Sequence, residues 1–342
     1  MTSHLEPAAA RPTAGTPATA LIAALRARID DTIRPLLAGV DRVALLDVPV
    51  HENIGDSAIL MGTVAFLRRA GKTMCYTCSI DTYSRDALAS RLGDGIILLS
   101  GGGNLGDLWP HSQRFRQRVL ADFPSARILQ LPQTLFFAQA AALDDARAVF
   151  DAHPRFTILT RDTRSQETAR SHFRAPSLLC PDMAFAMGPI ARPRTPRTPV
   201  VWLARRDREA APGARLTEHT TIDWLTRRPT RLARGERALR AWIGAHPTVL
   251  AAASPALWRL AMMVGRERVR AGCAMLAEGR VVITDRLHGH ILCLLLGVPH
   301  VVLDNSYGKV RQYYETWTRD VPLARWAETP EQALDVATAW AG

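Results

Sequence analysis

Short apolar runs alternate with amphipathic helical segments along most of this chain, and this alternation restricts its fold more than any other feature. Residues 42–49 form the first buried run, and similar runs lie near 73–80, 95–100, 126–132, 156–161 and 177–185. Helical patterns separate them, near 20–37, 57–71, 84–92, 112–123, 141–150 and 164–173. Apolar strands in such an order are typical of a parallel sheet with helices on both faces. The sequence therefore predicts an α/β fold.

A proline-rich segment divides the alternating pattern into two parts. Residues 188–199 contain four prolines, which cannot continue a helix or a central strand. A second series follows, with strands near 200–204, 280–284 and 299–304 and helices near 234–245, 256–277 and 289–296. We predict a disordered tail over 1–20, a Rossmann-like doubly wound domain over 21–187, a linker over 188–199 and a second Rossmann-like domain over 200–342. The polar, irregular residues 208–232 predict a mobile loop.

Two doubly wound domains joined by a linker would enclose an interdomain cleft between the carboxyl ends of their sheets. Folds of this kind bind ligands at that edge of the sheet. We therefore expect the active site in the cleft, with functional side chains in the loops that directly follow strands.

The loop after the first strand carries three such candidates. Asn53, Gly55 and Asp56 occupy the turn that enters a helix, and Asp56 or Ser57 is the expected N-cap. Capping alone would explain Asp56. Its carboxylate could instead accept a proton from a sugar hydroxyl, so both interpretations are kept.

A glycine-rich loop follows the strand near 95–100. Three glycines at 101–103 would let the backbone approach a ligand closely and turn its N–H groups inward. The spacing G-x-G-x-x-G over 101–106 also fits a dinucleotide fingerprint, which requires an acidic residue at the end of the next strand. That strand ends at Gln133 and Thr134 without an acid. The sequence therefore disfavours NAD or FAD.

The segment 281–290 is the most informative part of the chain. A buried strand ends at Thr284. Asp285, Arg286 and His288 follow it on a turn, and an apolar helix begins at Gly289. A helix N-terminus offers free N–H groups and positive potential to an anion. Arg286 adds a planar fork for phosphate or carboxylate, and His288 adds an imidazole, a group that can carry a proton near neutral pH. A histidine that only caps a core helix is the alternative.

Charge and cysteine content narrow the classes of function. The net charge is +11, and every basic residue except Lys72 and Lys309 is arginine, which suits an anionic substrate. The arginines are scattered without a compact run, so the sequence does not favour nucleic acid. The five cysteines have no metal-site spacing, and we expect neither a metal nor a cofactor. No apolar stretch fits a signal peptide or a membrane span, so we expect a cytoplasmic protein.

Considered together, these loops resemble the polysaccharide pyruvyl transferase family. The matching pieces are 53–56, 101–107, 131–134, 161–162, 181–182, 284–289 and 307–309, in the order found in that family. The resemblance implies two domains arranged as in the GT-B glycosyltransferases. It also implies phosphoenolpyruvate as donor, a glycan or lipid-linked oligosaccharide as acceptor, and a pyruvyl ketal as product.

The resemblance also implies roles for individual residues. Arg286 and His288 would hold phosphoenolpyruvate, with His288 as the general acid, and Arg161 would reach it from the other domain. Asp56 or Asp107 would act as the base toward the acceptor sugar. The binding residues that the resemblance indicates are Asn53, Gly55, Gly101, Gly102, Gly103, Asn104, Asp107, Gln133, Arg161, Asp285, Leu287, Gly289 and Lys309.

Two other functions stay open at this point. A nucleotide-sugar glycosyltransferase would share the architecture but would need an acid to hold the ribose, and Asp304 is the only acid near the strand after the Arg286 loop. A non-catalytic glycan-binding or assembly protein would keep the fold without turnover. A lipid-linked acceptor would also draw this basic chain to the inner face of the membrane, as a peripheral contact. The sequence does not indicate an oligomeric state.

Overall fold

The alternating sequence folds into two parallel sheets covered by helices. The structure, a computed structural model, describes residues 17–211, 213, 220–226, 228–245 and 250–342. One unit, the larger, contains Leu25–Met187 and Arg227–Arg268. The smaller unit contains Gly188–Thr226 and Val269–Gly342 together with the residues up to Ala24. The chain therefore leaves the smaller unit after Thr226, returns to the larger unit for Arg227–Arg268, and enters the smaller unit again at Val269.

A seven-stranded sheet forms the centre of the larger unit. Its strands are β1 (Arg42–Leu46), β2 (Thr73–Cys78), β3 (Ile96–Leu99), β4 (Gly102–Gly106), β5 (Arg127–Phe136), β6 (Phe156–Thr160) and β7 (Ser177–Leu179). The order is β2-β1-β3-β5-β6-β7, β4 pairs with the second half of β5, and all pairs are parallel. The chain therefore reverses its direction of travel across the sheet between β1 and β3. Such a switch point opens a crevice at the carboxyl ends of the two strands.

Among the described residues, eight α-helices belong wholly or mainly to this unit. They are α1 (Pro17–Leu36), α2 (Ile54–Arg69), α3 (Arg85–Leu92), α4 (Pro110–Asp122), α5 (Ala140–Ala152), α6 (Thr163–His172), α7 (Arg231–Ala245) and α8 (Leu250–Leu276). Ile97, Ile128 and Ile158 of the sheet pack against Phe150 and Val119 in one apolar core. Helix α1 includes the last four residues of the predicted tail, and residues 1–16 lie outside the described part of the chain.

The smaller unit has a four-stranded parallel sheet in the order β11-β10-β9-β8. Its strands are β8 (Thr198–Leu203), β9 (Gly279–Thr284), β10 (His300–Val302) and β11 (Ala324–Trp326), and its helices are α9 (Leu287–Leu296), α10 (Lys309–Trp317) and α11 (Pro330–Ala341). Trp202, Ile283 and Val301 of the sheet pack against Ala333 and Ala337 of α11. The predicted α/β fold with parallel sheets is confirmed.

The N-cap of α2 was predicted wrongly. Helix α2 begins at Ile54, and Asn53 caps it by accepting a hydrogen bond from the Gly55 N–H at 3.1 Å. Asp56 therefore lies inside the first turn, where a negative charge interacts favourably with the helix dipole. The carboxylate is not used as a cap, and the simplest alternative explanation for this residue is removed.

The glycine-rich segment is a strand, which the prediction of an open loop missed. A Cβ atom on Gly106, which has φ +125°, would lie 1.8 Å from the Phe136 carbonyl oxygen, and one on Gly101 would lie 2.8 Å from that of Pro132. These glycines therefore allow the chain to pass directly beside the long strand β5. Close backbone packing is one of the standard reasons for glycine inside a strand.

Two further segments differ from their predictions. Strand β7 stops at Leu179 because Pro181 lacks an N–H and Asp182 accepts a hydrogen bond from the Ala184 N–H at 2.9 Å, which starts a 3₁₀ turn over Met183–Met187. Within 208–232, the residues that are described include a bridge from Leu203 to Ile222 and a 3₁₀ turn over Trp224–Thr226. Residues 212, 214–219 and 227 of the predicted mobile loop lie outside the description.

Candidate active site

An aspartate with a strained backbone conformation lies at the switch point of the larger sheet. Asp47 follows β1 directly and has φ 62°, a left-handed conformation that aspartate tolerates better than most residues. Strain of this kind is concentrated at functional positions. Its Oδ2 accepts a hydrogen bond from Asn104 Nδ2 at 3.3 Å. Burial raises the pKa of Asp47, and the nearby Arg116 guanidinium opposes that rise.

Arg116 lies behind Asp47 and is held by neutral amides. Its Nε donates to Gln130 Oε1 at 2.5 Å, its Nη1 to Gln113 Oε1 at 2.9 Å, and its Nη2 to Asn104 Oδ1 at 3.0 Å. Burial lowers the pKa of Arg116 to about 10, which still leaves it charged at neutral pH. We call this group the Asp47 cluster; its members are Asp47, Asn104, Gln113, Arg116, Gln130 and Gln133.

Gln133 and Asn104, both predicted binding residues, lock the start of β4. Gln133 Nε2 donates to Asn104 Oδ1 at 2.7 Å and to the Ser100 carbonyl at 3.0 Å, and its Oε1 accepts from the Asn104 N–H at 3.1 Å. Asn104 thereby reaches both Asp47 and Arg116. The amides fix the positions of the two charged groups through bonds that carry no net charge.

Asp56 is brought beside this cluster. Its Oδ2 accepts a hydrogen bond from Asn53 Nδ2 at 2.8 Å, and His51 Nε2 lies 3.5 Å from the same oxygen. A Cβ on Gly102 would lie 3.7 Å from Asp56 Oδ1, so β4 passes next to the carboxylate. The Asp56 side chain is 27% exposed. A partly accessible carboxylate with a histidine neighbour has the geometry of a base toward a hydroxyl.

Asp107, the other predicted base, is occupied by the backbone. Its carboxylate accepts hydrogen bonds from the N–H groups of Ala138, at 2.8 and 3.0 Å, and Gln139, at 2.8 Å. Those bonds fix the turn after β5 and occupy the carboxylate. Asp56 is therefore the better placed of the two candidate bases.

Arg161 is engaged in a buried ion pair within the larger unit. It is 1% exposed, its Nη1 donates to Asp182 Oδ2 at 2.8 Å, and its Nε donates to Thr134 Oγ1 at 2.9 Å. Asp162 does not pair with it; that carboxylate accepts from Thr134 Oγ1 and from the Ser165 N–H. These contacts of Arg161 hold β5, β6 and the turn after β7 together. Its predicted contact with the donor stays a prediction.

Arg286 lies at the carboxyl end of β9 in the smaller unit, as the N-cap residue of α9. Its Nη2 donates to Asp223 Oδ2 at 2.7 Å and lies 3.4 Å from Asp207 Oδ2. The Trp224 ring stacks against the guanidinium, with the ring centre 5.3 Å from Cζ. The side chain is buried, and its Nε has no hydrogen-bond partner among the described residues. Arg286 is thus held by carboxylates on one side and has donor capacity left.

Two more cations join Arg286 through shared carboxylates. Arg205 forms a two-point contact with Asp207, at 3.0 Å for both Nε and Nη2, and lies 2.9 Å from Glu209. Lys309 also pairs with Glu209. The loops after β8, β9 and β10 each contribute one cation. We call this group the Arg286 cluster; its members are Arg205, Asp207, Glu209, Asp223, Asp285, Arg286 and Lys309.

Three carboxylates of the Arg286 cluster have shifted pKa values, and they are Asp207, Glu209 and Asp285. Burial raises the pKa of Asp285 to about 6; one of its oxygens accepts the Arg205 N–H at 2.8 Å, and Oδ2 has no partner in the described part of the chain. Burial acts in the same sense on Asp207, but the contact with Arg205 outweighs it and lowers the pKa of Asp207. Lys309 and Arg205 likewise outweigh burial and lower the pKa of Glu209. Of these three carboxylates, Asp285 is therefore the one that can change its charge near neutral pH.

Helix α9 begins with Leu287, His288 and Gly289. Leu287 is buried in the core, and His288 is 9% exposed in the first turn. A Cβ on Gly289 would lie 2.4 Å from Thr284 Oγ1 and 3.0 Å from Leu203 Cδ2, so glycine allows the helix to start directly against β8 and β9. This close packing places His288 four residues after the end of β9, two residues after Arg286 and in the first turn of a helix.

The loop after β10 is fixed by Asn305. Its Oδ1 accepts the Lys309 N–H at 2.9 Å, and Gly308 adopts φ 86° just before α10. The Ser306 N–H donates to the Glu209 carbonyl at 3.1 Å, which ties this loop to the loop after β8. Lys309 is buried beside Glu209 as a result. Asp304, the acid considered for a ribose, accepts the N–H groups of Asn305 and Arg311 instead.

Sequence reasoning missed several residues that the structure adds to these clusters. The missed residues are Asp47, Gln113, Arg116, Gln130, Arg205, Asp207, Glu209 and Asp223. Arg205 directly follows the strand predicted over 200–204, so the expectation that functional residues follow strands could have found it. Asp47 was hidden because the predicted strand, 42–49, runs past the end of β1 at Leu46. Asp223 lies in the irregular segment 208–232, where no periodic pattern indicates which side chains face inward.

Within the described ranges, no group of three or more His, Cys, Asp or Glu side chains is arranged to hold a metal ion. A search of the same residues finds no helix that combines the length and apolar character needed to cross a membrane. All five cysteines are free thiols.

Comparison with known proteins gives consistent results. Residues 53–307 match the model of the family described as polysaccharide pyruvyl transferase. The chain is 34% identical over 318 residues to Pyruvyl transferase 1 of Schizosaccharomyces pombe, covering 89% of this chain and 77% of the yeast protein. It is 31% identical over 286 residues to the Bacillus subtilis protein named "Putative pyruvyl transferase EpsO", covering 82% and 86%.

A solved structure agrees with the fold. An uncharacterized protein of Klebsiella pneumoniae superposes with a TM-score of 0.59 at 19% identity, covering 88% of this chain and 99% of that one. This likeness concerns the fold alone. The family match covers residues 53–307 and therefore includes every member of both clusters except Asp47 and Lys309. From that match and from the two pyruvyl transferase relatives, we conclude that the chain belongs to the polysaccharide pyruvyl transferase family.

Proposed function

We propose that the chain transfers the pyruvyl group of phosphoenolpyruvate to two hydroxyls of one sugar in a glycan, and that a cyclic ketal is the product. Membership of the family supports the transfer of a pyruvyl group to a polysaccharide. The observation that carries the choice of donor is the Arg286 cluster, in which three cations stand at the carboxyl ends of three adjacent strands. Phosphoenolpyruvate has a carboxylate and a phosphate, which are the groups that arginine and lysine bind best.

The anion has to compete with carboxylates that already occupy the cations. Asp207 is the weaker of the two partners of Arg286, because it lies at 3.4 Å and is 25% exposed, whereas Asp223 lies at 2.7 Å and is fully buried. A substrate carboxylate or phosphate can therefore replace Asp207 and also use the Nε of Arg286. Protonation of Asp285 would remove one further negative charge from the cluster. Exchange of this kind keeps each buried charge paired throughout.

The chemistry requires one proton at carbon. His288 donates it to the methylene carbon of phosphoenolpyruvate, and the carbon that bears the carboxylate becomes an oxocarbenium-like centre. The first sugar hydroxyl attacks this centre, the bond to the phosphate oxygen breaks, and the second hydroxyl closes the ketal. Two hydroxyl protons are released: the base toward the acceptor takes the first and passes it to solvent, which reprotonates His288, and the second leaves with the phosphate. Arginines of the cluster stabilise the charge that moves onto the phosphate.

We assign the acceptor to the Asp47 cluster and Asp56 in the larger unit. Amide groups and a partly exposed carboxylate are well suited to sugar hydroxyls, which both donate and accept hydrogen bonds. Asp56 is the candidate base for the attacking hydroxyl, because its carboxylate is accessible and Asp107 is held by two backbone N–H groups.

A phosphate-release assay with phosphoenolpyruvate and a panel of glycan acceptors tests the reaction, with mass analysis of the glycan as the second readout. We expect His288→Gln to lower kcat by about a hundred- to ten-thousandfold, with a much smaller change in KM for phosphoenolpyruvate. His172→Gln, at an exposed position of α6, is the matched control and should keep wild-type rates. Full transfer by His288→Gln would contradict the role, and stabilisation by a nucleotide sugar but not by phosphoenolpyruvate would favour the glycosyltransferase alternative.

A further inference from the structure

Helices α7 and α8 hold a concentration of arginine that neither cluster uses. Residues 228–245 and 255–268 contain eight arginines and two glutamates. This segment therefore carries more than half of the net charge of +11. Arginines are scattered along the sequence as a whole, but the fold places seven of these eight on two helices of the larger unit.

The exposed side of α8 combines positive charge with an apolar side chain. Arg259, Met263 and Arg266 are all exposed, and spacings of four and three residues put them on one face of a helix. Met263 is 51% exposed. The opposite side is buried through Leu257, Ala261 and Val264, so the helix is oriented by its core contacts.

Helix α7 repeats the combination. Arg231, Arg234 and Trp242 are exposed, whereas Ala233 and Ile243 are buried. Trp242 is 52% exposed. Among the described residues, three large hydrophobic side chains are classed as exposed, and two of them belong to α7 and α8. Large exposed apolar groups that stand among cations are typical of a contact surface.

The glutamates of this region already have partners other than the exposed arginines of α7 and α8. Glu52 pairs with Arg237 at 2.7 Å and with Arg268 at 3.5 Å, and Glu236 pairs with Arg240. Glu267 accepts a hydrogen bond from Thr230 Oγ1. No ion pair to the four exposed arginines is found within the described ranges; these arginines are Arg231, Arg234, Arg259 and Arg266. Their positive charge is therefore available to an outside partner.

We propose that this surface binds an anionic lipid bilayer as a peripheral contact. We name it the α7–α8 face, and it consists of Arg231, Arg234, Trp242, Arg259, Met263 and Arg266. Arginines on an amphipathic helix attract anionic headgroups, and tryptophan favours the boundary between headgroups and acyl chains. Met263 is a flexible apolar side chain that can enter the same boundary.

The exposed methionine favours a bilayer over nucleic acid. A phosphate backbone would use the arginines, and a single-stranded base would stack on Trp242, but neither gives Met263 an apolar environment. A bilayer uses all three kinds of side chain. The proposal does not depend on the transfer reaction, because it concerns only where the protein is held.

Vesicle sedimentation with the full-length protein tests the proposal. Vesicles of phosphatidylcholine alone are compared with vesicles that also contain phosphatidylglycerol, at low and at high salt. We expect binding to the mixed vesicles only, and weaker binding at high salt. Arg259→Glu with Arg266→Glu should lower the partition coefficient roughly thirtyfold or more. Met263→Ser with Trp242→Ser, which keeps every charge, should also lower it.

Arg114→Glu with Arg164→Glu is the matched control, because it makes the same change of charge at exposed positions of α4 and α6. This control should retain at least half of the binding at low salt. Thermal melting of each variant checks that it is folded. The proposal is overturned if neutral vesicles bind equally well, if the control variant loses as much binding, or if Met263→Ser with Trp242→Ser binds as wild type. Tighter binding to single-stranded RNA than to mixed vesicles would also overturn it.

Discussion

The two clusters hold a buried arginine in different ways. Arg116 of the Asp47 cluster donates to amide oxygens, whereas Arg286 of the Arg286 cluster donates to a carboxylate. Amides fix a charge without cancelling it, so Arg116 and Asp47 together form a nearly neutral, well-ordered surface. Carboxylates cancel the charge of Arg286 until one of them is replaced. The first arrangement suits a neutral ligand with many hydroxyls, and the second suits an anion that exchanges with a carboxylate.

The difference also predicts how the clusters respond to substitution. Removal of one partner from a buried ion pair costs about 3–5 kcal/mol, because the other charge is left uncompensated. Removal of one hydrogen bond to a side-chain amide costs about 1 kcal/mol. Variants of the Arg286 cluster should therefore combine loss of activity with loss of stability, and variants of the Asp47 cluster should affect mainly acceptor use.

The largest effect is expected at Arg286. We expect Arg286→Gln to lower kcat/KM for phosphoenolpyruvate by about a hundred- to a thousandfold, because the cation that stabilises the donor is lost. Steady-state kinetics with varied donor measures it. Arg280→Gln, at the opposite end of β9, is the matched control and should leave kcat/KM unchanged. If Arg286→Gln kept wild-type kcat/KM, the assignment of the donor to this cluster would be wrong.

A smaller effect is expected at Asp47. Asparagine tolerates the left-handed backbone of this position, so Asp47→Asn removes the charge without adding strain. We expect KM for the acceptor to rise about tenfold, since hydrogen bonds from hydroxyls to a charged acceptor contribute about 1.5–3 kcal/mol, and KM for phosphoenolpyruvate to stay unchanged. Kinetics with each substrate varied in turn measures the split. Asp94→Asn, at an exposed site, is the control, and a rise in KM for the donor alone would contradict the contrast.

The smallest effect concerns acid stability. Burial lowers the pKa of His300 to about 4, and lowers that of His290, whose ring it contacts at 2.7 Å. The unfolded chain therefore binds more protons as pH falls below 6.5, and these histidines reduce stability between pH 6.5 and 4. Asp285 acts in the opposite sense. Its folded pKa of about 6 lies above the ordinary 3.8, so the folded state binds the extra proton and gains stability as pH falls through 6.

Urea unfolding at pH 7, 6 and 5 measures these opposing contributions. We expect Asp285→Asn to steepen the loss of stability below pH 6 by up to about 1.4 kcal/mol per pH unit, and His300→Gln to make it shallower. Asp94→Asn should leave the slope as in the wild type. An unchanged slope in Asp285→Asn would mean that this acid of the Arg286 cluster is ionised throughout the range.

The sequence predicted the fold through its alternation of strands and helices, and it predicted the part of the site that follows strands in a recognisable motif. Arg286, His288 and Gly289 belong to that part. The N-cap at Asn53 and the strand over Gly102–Gly106 were missed, because each depends on which backbone groups meet in space. The ion pair between Arg286 and Asp223 could not be predicted either, because 63 residues of chain separate the two.

Binding of phosphoenolpyruvate, measured by isothermal titration calorimetry without an acceptor, tests most directly which cluster receives the donor. The account predicts saturable binding by the wild type, loss of that binding in Arg286→Gln, and wild-type affinity in Asp47→Asn. The opposite pattern, with binding retained by Arg286→Gln and lost in Asp47→Asn, would place the donor at the Asp47 cluster and contradict the account.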